Sequence, residues 1–147
     1  MNHQRIVLAS RPSGVATVDN FRLETVPVPN VDKDVHEGQV LVRHHFLSLD
    51  PYMRMRMDDT PSYAAPQALG DVMIGGTVGE VVESRHADYQ VGDQVVGRGG
   101  WQEFGLVDAR EPGVMRRVDT TRVPLSAYLG AVGMPGVTAW VGLIHFI

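Results

Sequence analysis

Glycine and proline residues divide this sequence into short apolar runs, and this spacing of turn-forming residues constrains the fold more than any other feature. The 147 residues include 16 glycines and 9 prolines. No apolar stretch approaches the ~18 residues that a membrane-spanning helix needs, so we expect no membrane partner. Short runs separated by turn-forming residues are typical of strands rather than of a helical bundle. The sequence therefore predicts a mainly β domain with short helices.

Alternating apolar residues mark the predicted strands. In residues 39–47 (QVLVRHHFL), Val40, Val42, His44 and Phe46 share one face of the strand. A prolyl nitrogen cannot donate to a ladder, so Pro27 and Pro29 make the segment before them an edge strand. The order of strands and turns predicts an antiparallel, partly open barrel. The predicted strands are residues 6–9, 21–26, 39–47, 75–83, 94–97 (after a turn at residues 91–93), 101–107 and 115–118.

Helical signals are confined to three places. Asp50 is predicted to cap a helical turn that begins at Pro51, because proline suits the first helical position. A second short helix is predicted from Pro124 through Leu129. Apolar residues spaced as in a helix with one buried face occupy residues 137–147, and nothing else in the sequence is an obvious partner for that face.

Composition argues against several classes of function. The net charge is −4 and the longest basic run is Arg116-Arg117, whereas a nucleic-acid-binding protein carries a concentrated positive stripe. The chain has no cysteine and therefore no disulfide framework. The amino terminus lacks the apolar core of a signal peptide, which is compatible with a cytoplasmic location. No nucleophile elbow of a hydrolase is present.

Several segments together resemble one enzyme family. Residues 48–54 (SLDPYMR) and 133–139 (GMPGVTA) are similar to signatures of the zinc-independent medium-chain dehydrogenases/reductases. The resemblance is closest to the leukotriene B4 12-hydroxydehydrogenase/prostaglandin reductase group and to the NADP-dependent alkenal double-bond reductases. Residues 75–79 (GGTVG), 91–95 (VGDQV) and 100–104 (GWQEF) follow in the family's order. The resemblance covers nearly the whole chain, and the ordered combination of motifs carries it.

This resemblance implies a fold, a cofactor and a partner domain. Residues 1–127 would form a GroES-like catalytic domain, and residues 128–147 a connecting helix toward a Rossmann domain that is absent from the sequence. In similar proteins that domain holds NADP(H), so we expect no cofactor on this chain alone. Residues 97–100 (GRGG) lead from strand to strand without a helix amino terminus, and are not expected to bind phosphate. The complete protein would form a homodimer.

The resemblance also implies a reaction and site residues. Hydride transfer to an enone or enal builds negative charge on the carbonyl oxygen, which a tyrosine hydroxyl can stabilise. Tyr52 would make that hydrogen bond, Tyr63 and Trp101 would line the substrate pocket, and Met134 and Thr138 would contact the nicotinamide end of the cofactor. Packing in the core or in a loop explains the same aromatic residues without a function.

A zinc site is not expected. Zinc-dependent relatives carry a Gly-His-Glu segment near the position of Gly75, where this sequence has residues 74–77 (IGGT). His44 and His45 are adjacent on a predicted strand, so their rings point to opposite faces. Arg54 and Arg56 could face a cofactor phosphate, although a solvated cationic face explains them as well.

Two other functions remain open on the sequence. A stand-alone GroES-like module that binds a partner without catalysis would pack the helix of residues 137–147 on its own barrel. A quinone reductase of the same superfamily would carry similar motifs.

Overall fold

Seven strands and a few short helices make up the part of the chain that the computed structural model describes, residues 1–60 and 64–145. The strands are β1 (Asn2–Leu8), β2 (Phe21–Pro27), β3 (Gln39–Leu47), β4 (Thr77–Ser84), β5 (Gln94–Gly97), β6 (Phe104–Asp108) and β7 (Met115–Arg117). The α-helices are α1 (Val31–Asp34), α2 (Tyr52–Arg56) and α3 (Met134–His145), and the 3-10 helices are η1 (Val18–Asn20) and η2 (Leu125–Leu129).

The strands form two antiparallel sheets. One sheet has five strands in the order β6-β3-β4-β5-β7, and the other is the β1-β2 hairpin. Bulges between Leu41 and Val42 and between His44 and Phe46 interrupt the pairing of β3 with β4. Bulges increase the local bend and twist of a strand, so they help the sheet to curl. The predicted mainly β, partly open barrel is confirmed.

Two hydrophobic clusters hold the domain together. The barrel cluster lies within the five-stranded sheet and contains Val40, Val42, Val81, Val95 and Met115. The second, which we call the β1–α2 cluster, contains Leu8, Met53, Met57 and Met73. Methionine adapts to irregular spaces, which suits a cluster formed between a strand, a short helix and a loop. The β1–α2 cluster positions the candidate site.

Several local predictions are wrong. Strand β1 begins at Asn2 rather than at residue 6, and β4 begins at Thr77 rather than at residue 75. The helical turn begins at Tyr52 with Pro51 in the cap position, and no side-chain hydrogen bond caps it, so Asp50 does not act as the N-cap. The strand predicted from Trp101 begins instead at Phe104. Trp101 lies in a loop because its backbone bonds to other partners: its amide donates to the Met73 carbonyl at 2.8 Å, and its carbonyl accepts from Ile6 at 2.8 Å.

Helix α3 is present where the sequence predicts it, but none of its described residues is buried. Val137 is 59% exposed and Trp140 is 64% exposed. The hypothesis of a stand-alone binding module predicts that this helix packs on the barrel of the same chain. The structure does not show that packing for residues 137–145. Within residues 1–60 and 64–145, no helix has the length and apolarity required to cross a membrane.

Candidate functional site

Tyr52 and Trp101 are brought together by the β1–α2 cluster. Both residues are partly buried and pack against this cluster. The Trp101 ring stacks on Phe21, with ring centroids 5.3 Å apart. A phenol and an indole therefore pack against the same cluster, although they are 49 positions apart in the sequence.

Gly75 lies where Leu47, Met53 and Trp101 converge. A Cβ atom added to Gly75 would lie 2.7 Å from Cδ1 of Leu47, 3.1 Å from Cδ1 of Trp101 and 3.2 Å from Cε of Met53. The next residue is less crowded, since a Cβ atom on Gly76 would meet only Leu129 at 3.6 Å and Ser48 at 3.9 Å. The end of β3, helix α2 and the Trp101 loop thus meet around a residue that has no side chain. We call this arrangement the Gly75 site.

The structure adds residues that the sequence analysis did not assign to the site. His44 Nδ1 lies 2.8 Å from the carbonyl oxygen of Gln102. A carbonyl can only accept, so Nδ1 carries the proton of this hydrogen bond. The side-chain amide Nε2 of Gln102 in turn donates to the Gly99 carbonyl at 2.7 Å, and the backbone amide of Gly99 donates to Thr77 Oγ1 at 2.9 Å. These bonds hold the inner side of the loop that carries Trp101.

The signal for His44 was present in the sequence. Alternation places His44 on the same face of β3 as Val40 and Val42, which are buried in the barrel cluster. Burial lowers the pKa of the His44 imidazole below its usual range, while the hydrogen bond to the Gln102 carbonyl opposes that shift. The lowered pKa favours the neutral imidazole, and Nδ1 serves as a structural hydrogen-bond donor to the loop. His45 lies 3.8 Å from Glu80 instead.

The glycine-rich segment of residues 97–100 has no free amides for a phosphate. Arg98 donates to the Val114 carbonyl at 3.2 Å and Gly100 to the Gly75 carbonyl at 3.1 Å, while Gly99 donates to Thr77. A phosphate-binding loop needs several amides that point outward together. This segment instead uses its amides to anchor the Trp101 loop.

Met134 and Thr138 lie one turn apart at the beginning of α3, and both are exposed. The Thr138 hydroxyl donates to the Met134 carbonyl at 2.8 Å. Its oxygen keeps acceptor capacity for a further donor. The preceding helix, η2, contacts both α3 and β4, and its Leu129 faces Gly76. The two residues are therefore connected to the Gly75 site through η2.

Arg54 does not form a solvated cationic face. Its guanidinium donates to the Gly14 carbonyl at 2.9 and 2.6 Å and to Asp58 at 2.7 Å. It ties the loop after β1 to helix α2. Tyr63 lies outside the described residues. Within residues 1–60 and 64–145, no three side chains of the kinds that bind metals are gathered closely enough to hold an ion.

The chain is similar to known reductases over nearly its whole length. Residues 4–115 match the family described as the N-terminal domain of oxidoreductase. The chain is 49% identical to the NADPH-dependent curcumin reductase of Escherichia coli, over 97% of this chain and 39% of that protein. It is 36% identical to prostaglandin reductase 1 of Oryctolagus cuniculus, over 90% of this chain and 35% of that protein.

Solved structures agree with these relatives. The crystal structure of CurA from Vibrio vulnificus in complex with NADPH superposes with a TM-score of 0.82 at 42% identity, over 96% of this chain and 40% of that one. The chain thus spans about 40% of the length of the relatives it matches. It belongs to the oxidoreductase N-terminal domain family, and within it to the zinc-independent medium-chain dehydrogenases/reductases.

Proposed function

We propose that this chain forms the substrate-side domain of an NADP(H)-dependent oxidoreductase that reduces the activated C=C bond of enones and enals. The observation that carries the proposal is that Tyr52 and Trp101 pack against the same β1–α2 cluster, with Trp101 beside Gly75. A hydroxyl donor and a flat apolar side chain on one cluster suit a planar conjugated carbonyl compound. The relatives named for NADPH and curcumin support the same reaction class.

Tyr52 stabilises the carbonyl oxygen in this proposal. A phenol hydroxyl can donate a hydrogen bond to an oxygen that gains negative charge. Its position at the first residue of α2, packed against the β1–α2 cluster, restrains the ring. Trp101 and Leu47 provide the apolar wall that excludes water from the conjugated system.

In this proposal, the described residues face the nicotinamide end of NADPH. Thr138 is exposed and has an acceptor oxygen, which suits a carboxamide donor, and Met134 offers an adaptable apolar contact beside it. The amides of residues 98–100 are already bonded within the fold. The cofactor supplies hydride, and the phosphate contacts would come from residues outside this sequence, in a Rossmann domain.

Extending the gene sequence beyond the codon for Ile147 and assaying the complete product tests the proposal. With cinnamaldehyde and NADPH, we expect the saturated aldehyde, because the hydride goes to the β-carbon. Cinnamyl alcohol as the product would indicate carbonyl reduction, and no NADPH oxidation with any enone would refute the assignment. The 147-residue chain is expected to be inactive on its own, which the same assay checks.

Three further proposals follow the family resemblance. We propose a boundary after residue 127, which falls inside η2 (Leu125–Leu129), with the connecting helix in α3. We also propose a cytoplasmic location and a homodimer for the complete protein. Cell fractionation and light scattering of the complete protein test the last two.

A further inference from the structure

Two histidine side chains from different strands bind the backbone of residues 102–104, the segment that leads into β6. His3 belongs to β1 and is only 4% exposed, and the Phe104 amide donates to its Nδ1 at 3.4 Å. His44 belongs to β3, and its Nδ1 donates to the Gln102 carbonyl at 2.8 Å. The proposed function uses neither ring. We call this arrangement the histidine clamp.

The bond to His3 exists only while that ring is neutral. A backbone amide can only donate, so Nδ1 of His3 accepts the bond from Phe104 with its lone pair, and the ring proton lies on Nε2. A second proton adds to the nitrogen that has none, which here is Nδ1. The Phe104 amide then loses its acceptor and faces another donor, which is costly in a buried place.

His44 keeps its bond to Gln102 when it is protonated, but its charge is then poorly solvated. The ring lies against the backbone of Gly99, where an added Cβ atom would collide with it. Burial is the largest cause that lowers the pKa of His44, the bond to the Gln102 carbonyl opposes the shift, and the charges of His3 and His45 lower the pKa further. A proton on His3 therefore disfavours a proton on His44 while the clamp is closed.

Other ionisable groups surround the two rings. They are Arg5, Arg22 and Glu24 on the hairpin, Arg43, His45 and Glu80 on β3 and β4, and Arg98 and Glu103 in the loops. Arginine and glutamate side chains are ordinarily charged throughout the range from about pH 7 to about pH 5, in which histidine titrates. Glu103 would favour a protonated ring, but its carboxylate already accepts from the Gln4 amide at 2.7 Å, and the pKa of His44 is lowered nonetheless.

We infer that the histidine clamp opens in acid: the neutral rings of His3 and His44 hold residues 102–104 in place, and their protonation releases this segment together with Trp101. An open cleft of about 250 Å³ is lined by His44 and Trp101, which gives protons a path to the clamp. Trp101 lies against Gly75 in the closed state, so opening removes one wall of the Gly75 site. The inference does not depend on which reaction that site performs.

The 147-residue chain tests the inference without an activity assay. In a Trp140→Phe background, Trp101 is the sole tryptophan. Between about pH 7 and about pH 5, its emission should shift to longer wavelength while the far-ultraviolet circular dichroism stays constant. The protection of the Phe104 amide against hydrogen exchange, corrected for the intrinsic rate, should fall by up to about tenfold per pH unit for each ring that is neutral only in the closed clamp.

Asparagine variants remove the titration and keep the bonds. The oxygen of His3→Asn can accept from the Phe104 amide, and the nitrogen of His44→Asn can donate to the Gln102 carbonyl. Each single variant should lose part of the pH dependence, and the double variant should keep the same Trp101 emission down to about pH 5. The control His36→Asn removes an exposed histidine outside the clamp and should behave like the parent.

Three results would overturn the clamp. One is Trp101 emission that does not change, or that changes only together with the circular dichroism, since the whole domain would then unfold at once. Another is a single variant with the full pH dependence of the parent. The third applies even where a variant does not fold: nuclear magnetic resonance titrations of His3 and His44 in the wild type that do not coincide with the change in Trp101 emission.

Discussion

Replacing Gly75 with alanine tests how tightly the side chains around Gly75 are packed. The added Cβ atom would lie 2.7 Å from Leu47 Cδ1 and 3.1 Å from Trp101 Cδ1, closer than van der Waals contact allows. Extra methyl groups in a packed site cost about 1–3 kcal/mol. Since Leu47 Cδ1 and Met53 Cε end flexible side chains that can shift, we expect the lower half of that range, about 1–2 kcal/mol.

Gly76→Ala is the matched control. Its Cβ atom would make only ordinary contacts, at 3.6 Å to Leu129 and 3.9 Å to Ser48. Neither Gly75 nor Gly76 has a positive φ angle, so both alanines gain the same benefit from a less flexible unfolded chain, about 0.4–1 kcal/mol. That benefit cancels in the comparison, and the difference between the variants reports the crowding alone.

Urea unfolding followed by circular dichroism measures the difference in the free energy of unfolding between the two variants. Gly75→Ala should unfold at a lower urea concentration than Gly76→Ala, with an unchanged m-value. Its melting temperature should be lower by about 2–4 °C for each kcal/mol of lost free energy of unfolding. In a Trp140→Phe background, Trp101 is the sole tryptophan, and its emission should change in Gly75→Ala only. Equal stability and equal Trp101 emission for the two variants would refute the packing that we describe.

Three further predictions concern single residues. The pKa of His44 is lowered by burial, so the unfolded chain binds more protons, and the free energy of unfolding should fall as the pH drops below about 6.5. Urea unfolding from neutral to acidic pH checks this. The variant His44→Asn can keep the hydrogen-bond donor to the loop and should make the free energy of unfolding less dependent on pH. Tyr52→Phe should lower kcat/KM for enones about tenfold, the worth of one hydrogen bond, and unchanged steady-state kinetics would remove Tyr52 from the mechanism. Arg54→Ala should speed amide hydrogen exchange around Gly14, since it removes both bonds to that carbonyl, whereas unchanged exchange would show that the loop is held by other contacts.

Much of the fold could be predicted because its signals are local. The alternation in residues 39–47 identifies β3 with the correct bounds, and Pro27 ends β2. The motifs that flank Tyr52 and Thr138 identify the family, which the relatives confirm. The predicted start of β6 at Trp101 was wrong because non-local backbone partners, such as Met73 for Trp101, decide where such an element begins. The predicted Asp50 cap was also wrong, since no side-chain hydrogen bond caps α2.

The site itself was only partly predictable. Tyr52 and Trp101 were selected by resemblance, and their common packing on the β1–α2 cluster is a tertiary fact. His44 could have been selected by alternation, but its bond to the Gln102 carbonyl joins residues 58 positions apart. A pattern along one strand reports which face a side chain occupies and not which loop folds over it.

The sequence by itself determined the class of the domain, since turn residues and alternation act over a few positions and the ordered motifs mark the family. Only the tertiary structure decided that Leu47, Met53 and Trp101 converge on Gly75, that the amides of residues 98–100 are already bonded, and that a cleft opens beside them. The physical reason is that close packing and hydrogen-bond partners depend on the separation of atoms in space, which curling of the sheet sets and which local sequence does not encode.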